Sequence, residues 1–179
     1  MMKQNILILV VGIFFVSSCK NKESKSEKVV EVNPNTFKIE VEGTWKKDDE
    51  LIIFWKDASI AYFDGEHTIY QGIKGSDMPQ KIIFELEEGF IPNDVRFDVS
   101  SKKEQSEITI NYIKIEQQNR FFIISKDKLP EFFKINEYIE SDLKTGILKT
   151  KEIDGSYDPI LFTQPAIYPK LEEILATKF

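Results

Sequence analysis

From about Val32 onward, apolar and polar residues alternate along the chain, and this pattern limits the fold more than any other feature. Phe37, Ile39 and Val41 are separated by charged residues, which is typical of a strand with one buried face. The continuous apolar run Leu51–Trp55 favours a strand that is covered on both faces. Seven or more short strands, spaced about 8–12 residues apart, predict an antiparallel β-sandwich or barrel rather than parallel βαβ units.

The same pattern, together with the turns between apolar stretches, predicts the remaining strands. Asp64-Gly65-Glu66 predicts a hairpin turn between Ile60–Phe63 and Thr68–Ile73. The complete set of these predicted strands is Ile60–Phe63, Thr68–Ile73, Lys81–Leu86, Val95–Val99, Ile108–Ile115 and Arg120–Ser125.

The last part of the chain changes to helical spacing. The apolar residues within Lys128–Ile139 are spaced partly as in a helix, and Pro169 suits the start of a second helix. The apolar residues that follow Pro169 share one helix face: Leu171, Ile174, Leu175 and Phe179. We expect this short C-terminal helix to cover an open end of the sandwich.

The chain contains a single cysteine, Cys19, and its position indicates a targeting segment. Lys3 and the apolar run Ile6–Val16 precede it, followed by Ser17 and Ser18. A charged start, a short apolar core and small residues before a cut site are typical of a secretory signal peptide. The run is too short for a transmembrane helix, which needs about 17–25 apolar residues. Because Cys19 is the only cysteine and lies in this targeting segment, we expect the domain that follows to have no internal disulfide, thiolate metal site or cysteine nucleophile.

Val16-Ser17-Ser18-Cys19 resembles the lipobox of bacterial lipoproteins. In that family the signal is cut before the cysteine, whose sulfur carries diacylglycerol and whose new amine is acylated, commonly with palmitate. The resemblance implies a signal peptide at 1–18 and a membrane anchor at Cys19. Lys20, rather than aspartate, follows the cysteine, and this favours the outer membrane, in either leaflet.

The stretch between the anchor and the first strand predicts a tether. Lys20–Lys28 has no apolar side chain and cannot bury enough surface to offset the entropy of ordering it. Glu23 and Glu27 weaken the alternative, a basic patch that binds lipid head groups. We therefore divide the mature chain into a lipidated tether, 19–31, and a single domain, 32–179.

Charge and the scarcity of ligating residues exclude several kinds of site. The formal net charge of −6 argues against nucleic-acid binding through a basic surface. His67 is the only histidine, which excludes three-histidine zinc sites, and we expect it to be packed or at the surface. The segment Asp154–Pro159 fails the EF-hand pattern and predicts a turn, with calcium as a minor alternative. No cofactor is expected.

Five residues are candidates for binding a ligand: Trp45, Trp55, Tyr70, Arg96 and Asp98. A tryptophan or tyrosine exposed on a sheet offers a flat surface on which a sugar ring can stack. Arg96 and Asp98 lie two apart on one strand, so they project from the same face. For each aromatic residue the sequence favours core or sheet-edge packing over ligand binding, and for Arg96 and Asp98 it favours a structural ion pair or cross-strand partners on the solvent side. Other aromatic residues are expected in the core: Phe54, Phe84, Phe97, Phe121 and Phe122.

The stretch from Asp49 to Ile115 resembles a β-sandwich module of bacterial surface and envelope proteins. The residues that carry the resemblance are Asp49 before Leu51–Trp55, Gly75-Ser76, Gln80–Leu86, Val95–Val99 and Ile108–Ile115. The resemblance implies a jelly-roll-like antiparallel sandwich, similar in architecture to carbohydrate-binding modules. Together with the predicted anchor, the lack of nucleophile and metal constellations and the many aromatic residues, this leads us to expect a non-enzymatic, membrane-anchored module that binds or positions glycan, another envelope polymer or envelope proteins.

Two alternatives stay open. Gly43-Thr44-Trp45 resembles the opening motif of lipocalin-like barrels, which carry small apolar ligands. The run Leu51–Trp55 lacks the strict alternation of a strand that lines a ligand cavity, so we favour the sandwich. A glycosidase would need two carboxylates facing each other at about 5–10 Å, which a sequence does not reveal.

Overall fold

A computed structural model of the protein describes residues 35–141 and 143–175. The predicted signal peptide (1–18), Cys19 and the predicted tether (19–31) lie outside the described residues, as does Phe179. The strands, in chain order, are β1 (Lys38–Trp45), β2 (Asp49–Lys56), β3 (Thr68–Ile73), β4 (Gln80–Glu85), β5 (Asp94–Asp98), β6 (Glu107–Gln117), β7 (Arg120–Ser125), β8 (Phe133–Ile135), β9 (Ile139–Glu140), β10 (Ile147–Thr150) and β11 (Ile160–Thr163). The α-helices are α1 (Leu129–Phe132) and α2 (Tyr168–Leu175), and short 3₁₀ segments span Lys103–Gln105, Lys126–Lys128, Leu143–Thr145 and Pro165–Ile167.

Within the described residues these strands form two antiparallel sheets. Sheet A has the order β4-β1-β6-β10-β9, and β7 also pairs with β6. Sheet B has the order β3-β2-β5-β11-β8. The chain passes repeatedly from one sheet to the other, for example from β1 to β2 and from β3 to β4. The predicted fold class, an antiparallel jelly-roll-like sandwich with a short C-terminal helix, is confirmed.

Side chains from both sheets meet in one hydrophobic core. Ile39 and Ile113 of sheet A and Ile53 and Phe97 of sheet B line the same internal cavity, which has a volume of about 10 Å³. A cavity of this size is at the limit of what a single water molecule needs. Phe84 of sheet A lies edge to face against Phe97 of sheet B, with ring centroids 5.9 Å apart. The sheets are therefore closely packed, and each large buried side chain contributes about 1.5–3 kcal/mol.

Gly43 and Trp45, which suggest a lipocalin-like motif in the sequence, have a packing role in this sandwich. The register between β1 and β6 shifts at Gly43, as in a β-bulge. A Cβ atom on Gly43 would lie 2.4 Å from the carbonyl oxygen of Thr109 and 2.7 Å from the Trp45 ring, so only glycine fits. Trp45 is fully buried, and its indole N–H donates to the carbonyl oxygen of Val99 at 3.0 Å.

The predicted strand Ile60–Phe63 is wrong, because the chain passes from β2 to β3 through a loop. Asp57 accepts hydrogen bonds from the backbone amide and the hydroxyl of Ser59, at 2.8 and 2.6 Å. Asp64 accepts one from the backbone amide of His67 at 3.0 Å. Such local bonds satisfy the backbone without a neighbouring strand.

The predicted helix over Lys128–Ile139 is also wrong beyond its first turn. The helix α1 ends when Phe133 adopts an extended conformation, with φ −131° and ψ 145°. Phe133 then pairs with Thr163 of β11 and is 4% exposed. Burial of this ring between the sheets outweighs the weak stability of an isolated short helix.

The C-terminal helix α2 is confirmed. Leu171 and Ile174 are buried, and Leu175 packs against the core while half-buried. The helix lies against β7. Its apolar face therefore covers the sandwich as the residue spacing predicts.

A buried carboxylate holds together the loops at one end of the sandwich. Asp49 is 4% exposed, and its two oxygens accept four hydrogen bonds of 2.6–3.0 Å. The donors are the amides of Glu50 and Ser101, the Ser100 hydroxyl and the Gln105 side-chain amide. Three of these donors belong to the connection between β5 and β6, so Asp49 fixes that connection to the start of β2.

We expect Asp49→Asn to lower the free energy of unfolding by about 1–3 kcal/mol, because the new amide group cannot accept all four hydrogen bonds. Urea unfolding, followed by tryptophan fluorescence, measures this loss. Asp48→Asn is the matched control, since Asp48 is adjacent but has a 55% exposed side chain. Solvent screens its interactions, so its loss should be much smaller. Equal losses in the two variants would contradict a stabilising role for Asp49.

Candidate functional site

Strand register brings three of the five candidate residues onto the outer face of sheet B. Ile52 pairs with Tyr70 on one side and with Asp98 on the other, and Phe54 pairs with Arg96. Side chains directly opposite each other project from the same face of a sheet. Phe162 of β11 pairs with Arg96 from the other side. We call this surface the sheet B face; it consists of Ile52, Phe54, Tyr70, Arg96, Asp98 and Phe162.

A two-pronged ion pair lies at the centre of the sheet B face. Arg96 donates from Nε to Oδ1 of Asp98 at 2.7 Å and from one terminal nitrogen to Oδ2 at 2.8 Å. The same terminal nitrogen donates to Oδ1 of Asp158 at 3.2 Å. This geometry holds the planar guanidinium in one orientation. The prediction that Arg96 and Asp98 share a face is confirmed.

Aromatic rings flank the ion pair. The Arg96 guanidinium lies 4.7 Å from the centroid of the Phe54 ring, within the range of a cation–π contact. Phe54 and Phe162 are half-buried, whereas Tyr70 is 57% exposed. Tyr70 and Asp98 are separated by two strand spacings, or about 10 Å. The surface thus combines apolar rings with polar groups whose positions are fixed.

The two partners of the ion pair have different electrostatic environments. Burial raises the pKa of the Asp98 carboxyl, although the Arg96 guanidinium acts in the opposite direction. Burial alone would lower the pKa of Arg96, but its bonds to Asp98 and the charges of Asp98 and Asp158 raise it. The Asp98 side chain is 9% exposed and that of Arg96 is 24% exposed, so the carboxylate loses more hydration. Asp98 depends on Arg96 to stay charged in this position.

The two tryptophans are core residues, which corrects their place among the ligand-binding candidates. Trp45 is 0% exposed and Trp55 is 6% exposed. Trp55 packs against His67 and Phe90, with ring centroids 4.8 and 5.0 Å apart. Inward-facing positions on β1 and β2 bury both indoles, so neither ring has a free face on which a sugar could stack. Tyr70, Arg96 and Asp98 remain as candidates.

The single histidine lies beside the core. Its Nδ1 is 2.8 Å from Oδ1 of Asp64, and its ring meets the Trp55 ring at 85°. The hydrogen bond with His67 is the main cause that lowers the pKa of Asp64. Residues 35–141 and 143–175 contain no group of three or more His, Cys, Asp or Glu side chains that could hold a metal ion.

The predicted turn near residue 155 is confirmed. Ile153 and Ser156 exchange two backbone hydrogen bonds of 2.9 Å around Asp154 and Gly155, whose φ angles are 51° and 83°. Positive φ at both central positions is typical of a type I′ hairpin turn. Asp158 follows this turn, which brings its carboxylate to Arg96.

Three members of the sheet B face, Ile52, Phe54 and Phe162, are not among the ligand-binding residues that the sequence predicts, and neither is Asp158, which contacts Arg96. Of these, Phe54 is predicted in the core. In the run Leu51–Trp55, Phe54 is at an outward-facing position, as its half-buried side chain shows. Successive residues of a strand point to opposite faces of the sheet, and this alternation is the signal that could have identified Phe54.

Comparison with protein-family models, curated proteins and solved structures finds no match for this chain. In the described part of the chain, no helix is both long enough and apolar enough to span a membrane.

We expect Arg96→Met to lower the free energy of unfolding by about 2–3 kcal/mol at pH 7, because Asp98 becomes a buried charge without its partner. In this variant the folded-state pKa of Asp98 rises further above its unfolded value. The variant should therefore regain stability as the pH falls through that raised pKa, and its deficit should narrow between pH 7 and pH 4. Urea unfolding at the two pH values measures the deficit.

The double variant Arg96→Met/Asp98→Asn is the control for this prediction. It removes the buried charge as well as its partner, so it should recover much of the lost stability. A double variant as unstable as the single variant, with no dependence on pH, would contradict the stated role of the ion pair.

Proposed function

We propose that this protein is a lipoprotein, anchored in the bacterial outer membrane through Cys19, whose β-sandwich binds an extended glycan on the sheet B face without catalysing a reaction. The observation that carries the proposal is the exposed ring of Tyr70 on the same sheet face as the fixed ion pair of Arg96 and Asp98. Each part of this surface matches one part of a sugar.

The chemistry of the sheet B face suits sugar rings. A sugar has an apolar C–H face, which can stack on the flat ring of Tyr70, and a rim of hydroxyl groups. Arg96 uses Nε and one terminal nitrogen for Asp98 and Asp158, so its other terminal nitrogen is available to donate to a hydroxyl. Asp158 has a 50% exposed side chain and can accept a hydrogen bond.

The shape of the surface favours a polymer over a monosaccharide. The five-stranded sheet provides a broad, open face, and Tyr70 and Asp98 lie about 10 Å apart. A ligand that contacts both Tyr70 and Asp98 must be extended, and it must lie perpendicular to the strands. A polysaccharide meets this requirement and can contact several anchored copies at once, which strengthens weak individual contacts.

The closely packed core favours this proposal over a lipocalin-like carrier. Such a carrier needs a closed barrel with a ligand-sized cavity, whereas the described strands form two separate sheets and the cavity lined by Ile39, Ile53 and Phe97 has a volume of about 10 Å³. A glycosidase needs two carboxylates on opposite sides of a sugar. Asp98 and Asp158 instead bind the same guanidinium.

We expect the purified full-length protein, in detergent, to bind at least one polysaccharide on a glycan array. Tyr70→Ala should weaken that binding about tenfold, because it removes the stacking ring. Tyr62→Ala is the matched control, since Tyr62 is 82% exposed but lies in the loop between β2 and β3. No binding at millimolar sugar, or equal loss in both variants, would overturn glycan binding at this face.

We expect cells that express the protein to incorporate labelled palmitate into it, and Cys19→Ser to abolish the label. The physical reason is that Cys19 supplies both the thiol and, after cleavage, the amine that carry the acyl chains. Mass spectrometry of the mature N-terminus provides a second readout. Unmodified Cys19 in a membrane extract, or label that persists in Cys19→Ser, would contradict the lipid anchor.

A further inference from the structure

The outer face of sheet A has exposed apolar side chains at Ile83 of β4, at Ile147 of β10 and at two neighbouring outward positions of β7. Phe121 and Ile123 are 54% and 55% exposed and lie two residues apart on β7. Phe121 was expected in the core, but Phe122 and Ile124 occupy the inward positions of this strand. Both outward side chains follow the turn between β6 and β7. We call Phe121 and Ile123 the hairpin patch.

The hairpin patch lies at the end of the sandwich where the chain from Cys19 joins the domain. Gln117 immediately precedes the turn between β6 and β7, and its side-chain amide donates to the carbonyl oxygen of Asn35 at 3.0 Å. Phe121 pairs with Glu116, the residue before Gln117. Asn35 and the hairpin patch are therefore at the same end of β6.

The charged neighbours of the hairpin patch do not form an acidic surface. Lys114 Nζ lies 4.7 Å from the centroid of the Phe121 ring and forms an ion pair with Glu116. Arg120, next to Phe121, is exposed. A phospholipid surface, which is neutral or anionic, is not repelled by this combination.

We propose that the hairpin patch docks on the phospholipid surface of the membrane that holds the Cys19 anchor, and this inference rests on the lipid anchor of the proposed function. The occupant follows from the length of the intervening chain. Positions 19 and 35 differ by 16, so this stretch spans at most about 50–60 Å when fully extended. The anchor keeps the bilayer at a high local concentration near Asn35, so insertion of two apolar side chains is enough for docking.

Docking through the hairpin patch would orient the two faces of the sandwich. The outer faces of two packed sheets point in opposite directions. The hairpin patch belongs to sheet A, so the sheet B face would point away from the bilayer. Tyr70 and Arg96 would then be open to a glycan in the surrounding medium.

The test places a tryptophan at the hairpin patch and measures its quenching by lipid. Phe121→Trp is compared with Met78→Trp in acylated protein, on vesicles of phosphatidylethanolamine and phosphatidylglycerol with brominated chains. Met78 is 71% exposed and precedes Gln80, which pairs with Gly43 at the other end of β1. The wild-type protein gives the background from the buried Trp45 and Trp55.

We expect the Phe121→Trp signal to be quenched at least about twofold more than the Met78→Trp signal, because interfacial side chains enter about 5–10 Å into the bilayer. Equal quenching, or none in either variant, would overturn docking through this patch. A doubled mass in sedimentation that Phe121→Ser/Ile123→Ser abolishes would assign the patch to a second copy and would also overturn it.

A second arm separates failure of docking from failure of the anchor. Unacylated protein from residue 19 onward is coupled through Cys19, its only thiol, to a maleimide lipid in the same vesicles. Quenching here, without acylation in cells, would support docking and contradict the lipid anchor. Acylation in cells, without quenching in either arm, would contradict docking alone.

Discussion

The surface chemistry of this protein depends on which alternate residues of each strand pack between the sheets. Val41 of β1 and Ile113 of β6 are opposite each other and buried, whereas their neighbours Glu40 and Lys114 form the next pair on the outside. A slip of one residue would move these charges into the core. Opposite Gly43, β6 contains one extra residue, Asn111, and this bulge changes the parity of β6 so that Ile108 and Ile110 also point inward. Core packing thus decides the position of every outward side chain.

The ion pair of Arg96 and Asp98 does not need to be a large source of stability to be useful. Burying a charge pair costs hydration, and apolar residues of similar size often stabilise a fold as well or better. The pair instead provides polar atoms at fixed positions within an otherwise apolar surface. Arg96 is held by two carboxylates and by the ring of Phe54, so little side-chain entropy would be lost when a ligand binds.

The sequence was sufficient to predict what depends on local spacing. Arg96 and Asp98 share a face because they lie two apart, and α2 forms because Leu171 and Ile174 repeat at helical spacing. The association of Tyr70 with Arg96 could not be predicted, because it requires the order β3-β2-β5, which no local pattern specifies. The strand at Phe133 is another case, since its pairing with β11 overrides a mixed helical pattern.

Continuous apolar runs explain both exposed surfaces. Every position is apolar in the runs Leu51–Trp55 and Phe121–Ile124. The sequence therefore does not show which alternate residues of these strands face inward. A strand covered on both faces is one interpretation of such a run. In a sandwich of two layers, however, the outward parity has no further layer to cover it. Phe54 and Phe121 are therefore left at the surface by the same rule, and each lies on a surface for which we propose a binding partner.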